Sequence, residues 1–132
     1  MTVFLDTVGL VALWDEDDQW HPAANAGFGR LLAERANFIT TTFVLLECGN
    51  ASARRPYRSA PSRLCKRLEQ DNQLISPTAE DWRTAWANYE NAGANGAGIV
   101  DHVSFVVMRR LGMVKTFTND RHFRAAGFET LF

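Results

Sequence analysis

Short apolar runs alternate along this chain with longer stretches in which apolar residues recur every three or four positions. The first kind predicts buried strands and the second amphipathic helices. Val3-Phe4-Leu5 reads as a strand within residues 2–5, followed directly by a short helix over 7–13. Residues 20–35 predict a helix with Pro22 in its first turn, where a missing N–H does no harm. Phe38-Ile39-Thr40 predicts a second strand, followed by a helix from about Thr42 to Ala53. Pro56 and Pro61 bracket the entry to the next helix, about 61–71, and Leu74-Ile75 is a short strand closed by Pro77. Thr78 and Asp81 have capping-box spacing ahead of an amphipathic helix that reaches about Asn91. Ala92 to Gly98 has the composition of a loop. A helix over about 101–111 stops at Gly112, Val114 to Phe117 is a strand, 120–126 a helix ending at Gly127, and Phe128 to Phe132 an edge strand.

Strands separated by helices imply parallel βαβ units, so the expected fold is an α/β/α three-layer sandwich on a mostly parallel sheet, with residues 1–132 as a single domain. In open sheets of this kind ligands bind at the carboxyl ends of the strands. The apolar runs are far shorter than the roughly 20 residues of a membrane span. The N-terminus has no basic segment ahead of its apolar run and carries Asp6, so it does not read as a signal peptide. Cys48 and Cys65 form no C-x-x-C pair and read as free thiols, which suits a reducing cytoplasm. A formal net charge of −1 hides a segregation: Asp15 to Asp18 are all acidic, whereas residues 54–67 hold Arg54, Arg55, Arg58, Arg63, Lys66 and Arg67 and no acid. Such a basic stretch suits phosphate backbones or an acidic partner, and a solvated helix face explains it equally well.

The chemistry is concentrated in four carboxylates that stand against apolar runs. Asp6 ends Val3-Phe4-Leu5, Glu47 interrupts the helix after Phe43-Val44-Leu45-Leu46, Asp101 follows Ile99-Val100, and Asp120 follows Phe117-Thr118-Asn119. An ionised carboxylate in apolar surroundings is costly unless a cation holds it. Each aspartate alone is explained by helix capping, and Glu47 by a solvent-facing position. Together, at one edge of one sheet, they predict an acidic pocket neutralised by Mg²⁺ or Mn²⁺, hard cations that prefer oxygen. Close carboxylates without metal repel, so raised and coupled pKa values are expected. A centre of this type supports phosphodiester hydrolysis, with one ion activating water and a second, about 4 Å away, steadying the leaving oxygen. His21, His102 and His122 are too scattered for a zinc site, and His122 is expected to hydrogen-bond locally. Ser104 lacks a nucleophile-elbow context. Trp14, Trp20, Trp82 and Trp86 read as core or dimer surface, and the helical spacing of Trp82, Trp86 and Tyr89 favours core.

Val3-Phe4-Leu5-Asp6-Thr7, Thr42 to Glu47, Asp101 to Phe105 with Met108-Arg109-Arg110-Leu111-Gly112, and Phe117 to Phe123 with Ala126-Gly127-Phe128 together resemble the PIN domain, and more narrowly the VapC toxins of VapBC toxin–antitoxin modules. The resemblance spans essentially the whole chain in the order and spacing of all four acids. One departure is Gly96-Ala97-Gly98-Ile99-Val100, where many members carry a Ser-rich segment. The resemblance implies a Mg²⁺- or Mn²⁺-dependent endoribonuclease with one or two ions on Asp6, Glu47, Asp101 and Asp120. Thr7, Ser104 and Asn119 would support the site. It also implies products with 5′-phosphate and 3′-hydroxyl ends, a homodimer paired through apolar helix faces, and inhibition by an antitoxin tail crossing the groove. Arg54, Arg55, Arg58, Arg109, Arg110 and Arg121 are candidate RNA contacts. Two rival readings are a non-catalytic PIN-fold module that holds RNA or protein, and a phosphoryl-accepting receiver domain. The latter wants two acids after its first strand, where this chain has one.

Overall fold

The structure is a computed structural model describing residues 1–132. Its elements follow in the order β1 (Thr2–Leu5), α1 (Thr7–Trp14), α2 (His21–Ala33), β2 (Asn37–Thr41), α3 (Thr42–Ser52), α4 (Ala60–Gln70), β3 (Leu74–Ile75), α5 (Ala79–Ala92), α6 (Ile99–Arg110), β4 (Lys115–Phe117), α7 (Arg121–Ala125) and β5 (Glu129–Thr130). Every strand found was anticipated from the apolar runs, although β5 is confined to Glu129–Thr130 within the expected 128–132.

The strands form one sheet in the order β3-β2-β1-β4-β5, and every pairing is parallel. Val3, Phe4 and Leu5 are all buried. Successive strand residues point to opposite faces, so both faces of β1 are covered, as a three-layer α/β/α sandwich requires. The chain winds from β1 outward to β2 and β3, then returns to the other side of β1 for β4 and β5. The order therefore reverses between β1 and β4, and a crevice opens there at the carboxyl ends. Leu5 pairs with Phe117, so the residues just beyond, Asp6 and Thr118, face each other across that crevice.

The main core joins β1 and β4 to the helices through Phe4, Leu5, Leu10, Val44, Phe105, Met108, Phe117 and Phe123. Helix α1 lies so close to the end of β4 that a Cβ on Gly9 would stand 2.0 Å from the Phe117 carbonyl oxygen. Only glycine permits that approach, and the approach sets where Asp6 and α1 sit relative to β4. A smaller core of Ala85, Val103 and Val107 seals α5 against α6.

Two expectations are corrected. Helix α6 begins at Ile99 and not near Asp101: Gly98 is its N-cap, and Asp101 lies inside the first turn. The apolar pair Ile99-Val100 belongs to the helix because it packs towards α5 and the main core. Trp82, Trp86 and Tyr89 are not core residues but stand largely exposed on α5. Trp86 and Tyr89 pack edge to face, with centroids 5.3 Å apart, and Ala85 takes the buried position of that helix. No helix is long and apolar enough to cross a membrane.

Candidate metal centre

The carboxyl edge of β1 is rigidly built. Thr40 on β2 donates its hydroxyl to the Leu5 carbonyl at 2.6 Å, with both groups buried. Asp6 leaves the strand in extended conformation and caps α1, accepting the Val8 N–H at 3.3 Å. The capping role anticipated for it is therefore real, but it is only part of the account. Asp6 is 1% exposed, and no lysine or arginine pairs with it. Its other partner is Thr118, just past β4, whose hydroxyl donates to Oδ2 at 2.8 Å. Burial, with the charge of Asp101 next and that of Asp120 after it, pushes Asp6 up to about 8, against the pull of Thr118.

Asp120 follows the same local logic. It caps α7, accepting the His122 N–H at 2.9 Å, while its own N–H is held by Thr118 Oγ1 at 3.2 Å. Thr118 thus bridges the two aspartates across the switch point. Asp101, in the first turn of α6, is driven up to about 7 by burial first and then by Asp120 and Glu47, with His122 pulling it back down. Glu47 on α3 is half-buried and accepts a hydrogen bond from Thr7 Oγ1. Burial also pushes the Cys48 thiol up to about 12, so beside Thr7 it is a neutral wall and not a thiolate ligand.

Asp101, Asp120 and His122 each offer a ligand atom within 4.8 Å of the others. These three with Asp6 and Glu47 make a pocket rich in carboxylates, short of cations and partly desolvated. A donor set of this kind fits a divalent metal ion, whose charge would remove the penalty that raises Asp6 and Asp101. The four acids singled out in the sequence thus lie near enough to feel one another's charge, and Thr7 donates to Glu47. Ser104 is fully buried on α6 with its hydroxyl unpartnered, and Asn119 makes no side-chain hydrogen bond. The structure adds Thr118 and His122. Thr118 was recognisable as a hydroxyl immediately beyond a strand that ends beside β1, whereas the proximity of His122 to Asp101 depends on how α7 lies against α6.

The six arginines divide. Arg110 donates from Nε and Nη2 to the two oxygens of Asp81, at 2.9 and 2.7 Å, tying α6 to α5. Arg109 donates to the Ala126 carbonyl and lies over the rings of Phe105 and Phe128. Arg55 pairs with Asp15 at 3.0 Å, and Arg58 donates to the Ala53 carbonyl. Arg54 and Arg121 are exposed and have no protein partner. A cavity of about 770 Å³ opens between α3 and α4, with Arg58 on its rim and Leu45, Leu46 and Pro61 in its lining. Of Arg54, Arg55 and Arg58, only Arg58 lines it.

No protein-family model and no curated protein matches the chain. Solved structures do. VapC20 of Mycobacterium tuberculosis, a sarcin–ricin loop cleaving toxin, is 27% identical with a TM-score of 0.78, over 96% of both chains. FitAB bound to an IR36 DNA fragment is 16% identical with a TM-score of 0.65, over 98% of this chain and 93% of that one. FitAcB from Neisseria gonorrhoeae is 16% identical at a TM-score of 0.64, over 100% and 97%. At that identity the last two speak for the fold, and VapC20 extends the likeness to sequence along the full length. With its parallel sheet order and the acids at its switch point, the chain has the PIN-type fold of these structures and is similar along its full length to a VapC toxin.

Proposed function

We propose that this protein is a divalent-metal-dependent endoribonuclease and the toxin of a VapBC-type toxin–antitoxin pair. The observation that carries the proposal is the grouping, without lysine or arginine, of buried Asp6 with half-buried Asp101, Asp120 and Glu47 at the β1/β4 crevice. Asp6, Glu47, Asp101 and Asp120 would hold Mg²⁺ or Mn²⁺. A bound ion of this kind lowers the pKa of a coordinated water and offsets charge on a phosphate. The chain's own contribution is to fix the acids. Thr118 orients Asp6 and Asp120, Thr7 orients Glu47, and the first turn of α6 presents Asp101. Arg54 and Arg121, free of protein partners, are the arginines best placed to meet phosphates.

The neighbour's substrate makes a sarcin–ricin loop oligonucleotide the first RNA to try. Cleavage by purified protein with Mg²⁺ or Mn²⁺, lost with a chelator and in Asp6→Asn and Asp101→Asn, supports the reading. Wild-type rates in either variant would overturn the ligand assignment. An antitoxin partner and a homodimer are part of the same proposal. Leu46, Trp82, Trp86 and Tyr89 leave apolar surface exposed on α3 and α5 that such partners would cover. Light scattering across protein concentration, with and without the product of a neighbouring small gene, tests both. A strict monomer that binds no such product would remove the toxin–antitoxin part and leave the nuclease part.

A further inference from the structure

A divalent-metal centre built only from carboxylates gives no reason for a histidine to stand among them. His122 does stand there. Its Nδ1 lies 3.0 Å from Asp120 Oδ1, and ligand atoms of Asp101, Asp120 and His122 fall within 4.8 Å of one another. The backbone N–H of His122 donates to the same Oδ1 at 2.9 Å, so main chain and side chain of this residue converge on one carboxylate oxygen. Adjacent ligands at right angles on an ion with bonds of about 2.1 Å are separated by about 3.0 Å. The observed spacing therefore suits two neighbouring ligands of one ion as well as it suits a hydrogen bond. The ring is half-buried, and Asp101 feels its charge from the facing helix.

We propose that His122 is a nitrogen ligand of the metal centre, which makes Asp101, Asp120 and His122 a mixed oxygen–nitrogen site favouring Mn²⁺, Co²⁺ or Zn²⁺ over Mg²⁺. This rests on the reading of the pocket as a metal centre. Imidazole strengthens binding of borderline ions along the Irving–Williams order, while Mg²⁺ gains little from nitrogen and prefers oxygen. Coordination through Nδ1 leaves the ring proton on Nε2. Any proton shared between Nδ1 and Asp120 in the metal-free protein leaves to Nε2 or to water as the ion enters. The alternative role, in which His122 only holds Asp120 in place by a hydrogen bond, predicts no such metal preference.

The test uses the full-length wild-type protein with His122→Ala and His122→Gln, without RNA. Co²⁺ is titrated and the proton NMR spectrum is searched for a solvent-exchangeable, paramagnetically shifted imidazole N–H. Affinities for Co²⁺ and Mg²⁺ are measured by calorimetry. The expected result is one such signal in the wild type, absent from both variants. Co²⁺ affinity should fall at least about tenfold in each, and Mg²⁺ affinity by less than about threefold. Wild-type protein that binds Co²⁺ without the shifted imidazole signal overturns the proposal by itself, whatever the variants do. So does a Gln variant that retains Co²⁺ affinity, or an equal loss for both ions, each of which assigns His122 the hydrogen-bonding role. RNA cleavage with Mg²⁺ in the wild type is recorded alongside. Cleavage without the imidazole signal would sink this inference and leave the nuclease reading intact.

Discussion

Asp6 and Asp81 are both buried aspartates near a helix start, and the protein treats them in opposite ways. Asp81 completes a capping box with Thr78 and receives the guanidinium of Arg110 on both oxygens. The hydrogen bond from Arg110 is the first reason its carboxyl is held below the usual range. Asp6 caps α1 in a comparable way but meets no guanidinium or ammonium, and burial drives it up to about 8. A buried carboxylate satisfied within the chain is part of the framework. One left without a cation carries a burial penalty that a bound cation would remove, which is why a perturbed acid in a crevice points to function.

The largest effect that would break this contrast is on catalysis. Asp6→Asn is expected to lower metal-dependent RNA cleavage by at least about 100-fold, with Asp101→Asn alike, because each removes a proposed metal ligand. The metal-free melting temperature should stay level near neutral pH, where folded Asp6 already holds its proton, and rise above about pH 8, where a buried charge and its repulsion with Asp101 are relieved. Asp81→Asn should do the reverse, sparing cleavage by the folded protein while lowering the melting temperature by roughly 5 °C as the capping box and its arginine contact weaken. If both variants lose activity and stability together, the division between framework and site fails. Calorimetric melts and a cleavage assay on the same preparations decide it.

Opposite pKa shifts also give opposite dependences on pH. Folded Asp6 and Asp101 keep protons up to about 8 and about 7, while the unfolded chain releases them near 3.8. Between those limits the folded state binds more protons, so metal-free stability falls as pH rises from about 4 to about 8. Asp81 is held lower when folded, so its contribution is present above its unfolded value near 3.8 and is lost as pH falls through the lower folded value. Melts in a chelator should therefore decline towards alkaline pH, and saturating Mg²⁺ should flatten that limb. Asp6→Asn should flatten it without metal, and Asp81→Asn should soften only the acid limb. A metal-free protein whose stability climbs steadily from pH 4 to 8 would contradict the shifts of Asp6 and Asp101.

The smallest expected effect extends the contrast to cations. Arg110 is engaged within the chain, as Asp81 is, whereas Arg54 is free. Arg54→Ala should weaken RNA binding and reduce the slope of log affinity against log salt by about 0.7, the value for one phosphate contact on a single strand. Arg55→Ala should change it less, because Arg55 is shared with Asp15. Equal slopes for wild type and Arg54→Ala would return the basic stretch to a solvated face.

Much of this protein was legible in one dimension because the relevant physics is local. The period of apolar residues marks every strand and helix, since a side chain's direction follows from its element. The box at Thr78 and Asp81 spans three residues and was visible for that reason. The four acids were visible as charges set against apolar runs, and the parallel winding implied by alternating elements was enough to bring Asp6 and Asp120 to one edge. Local patterns misled where two environments share a period. Trp82, Trp86 and Tyr89 have core spacing, yet α5 turns them outward and buries Ala85. The start of α6 was placed late because glycine at its cap leaves no side-chain signature.

Sequence by itself determined the order of elements, the parallel sheet and the identity of the acids, all written in neighbours a few positions apart. Tertiary structure alone decided which charges are compensated. Asp81 and Arg110 are 29 positions apart and meet because α5 packs on α6. Thr118 reaches Asp6 across 112 positions because β4 returns beside β1. Whether a carboxylate is framework or metal ligand depends on what lies within a few ångströms through space, where the Coulomb and desolvation energies are set.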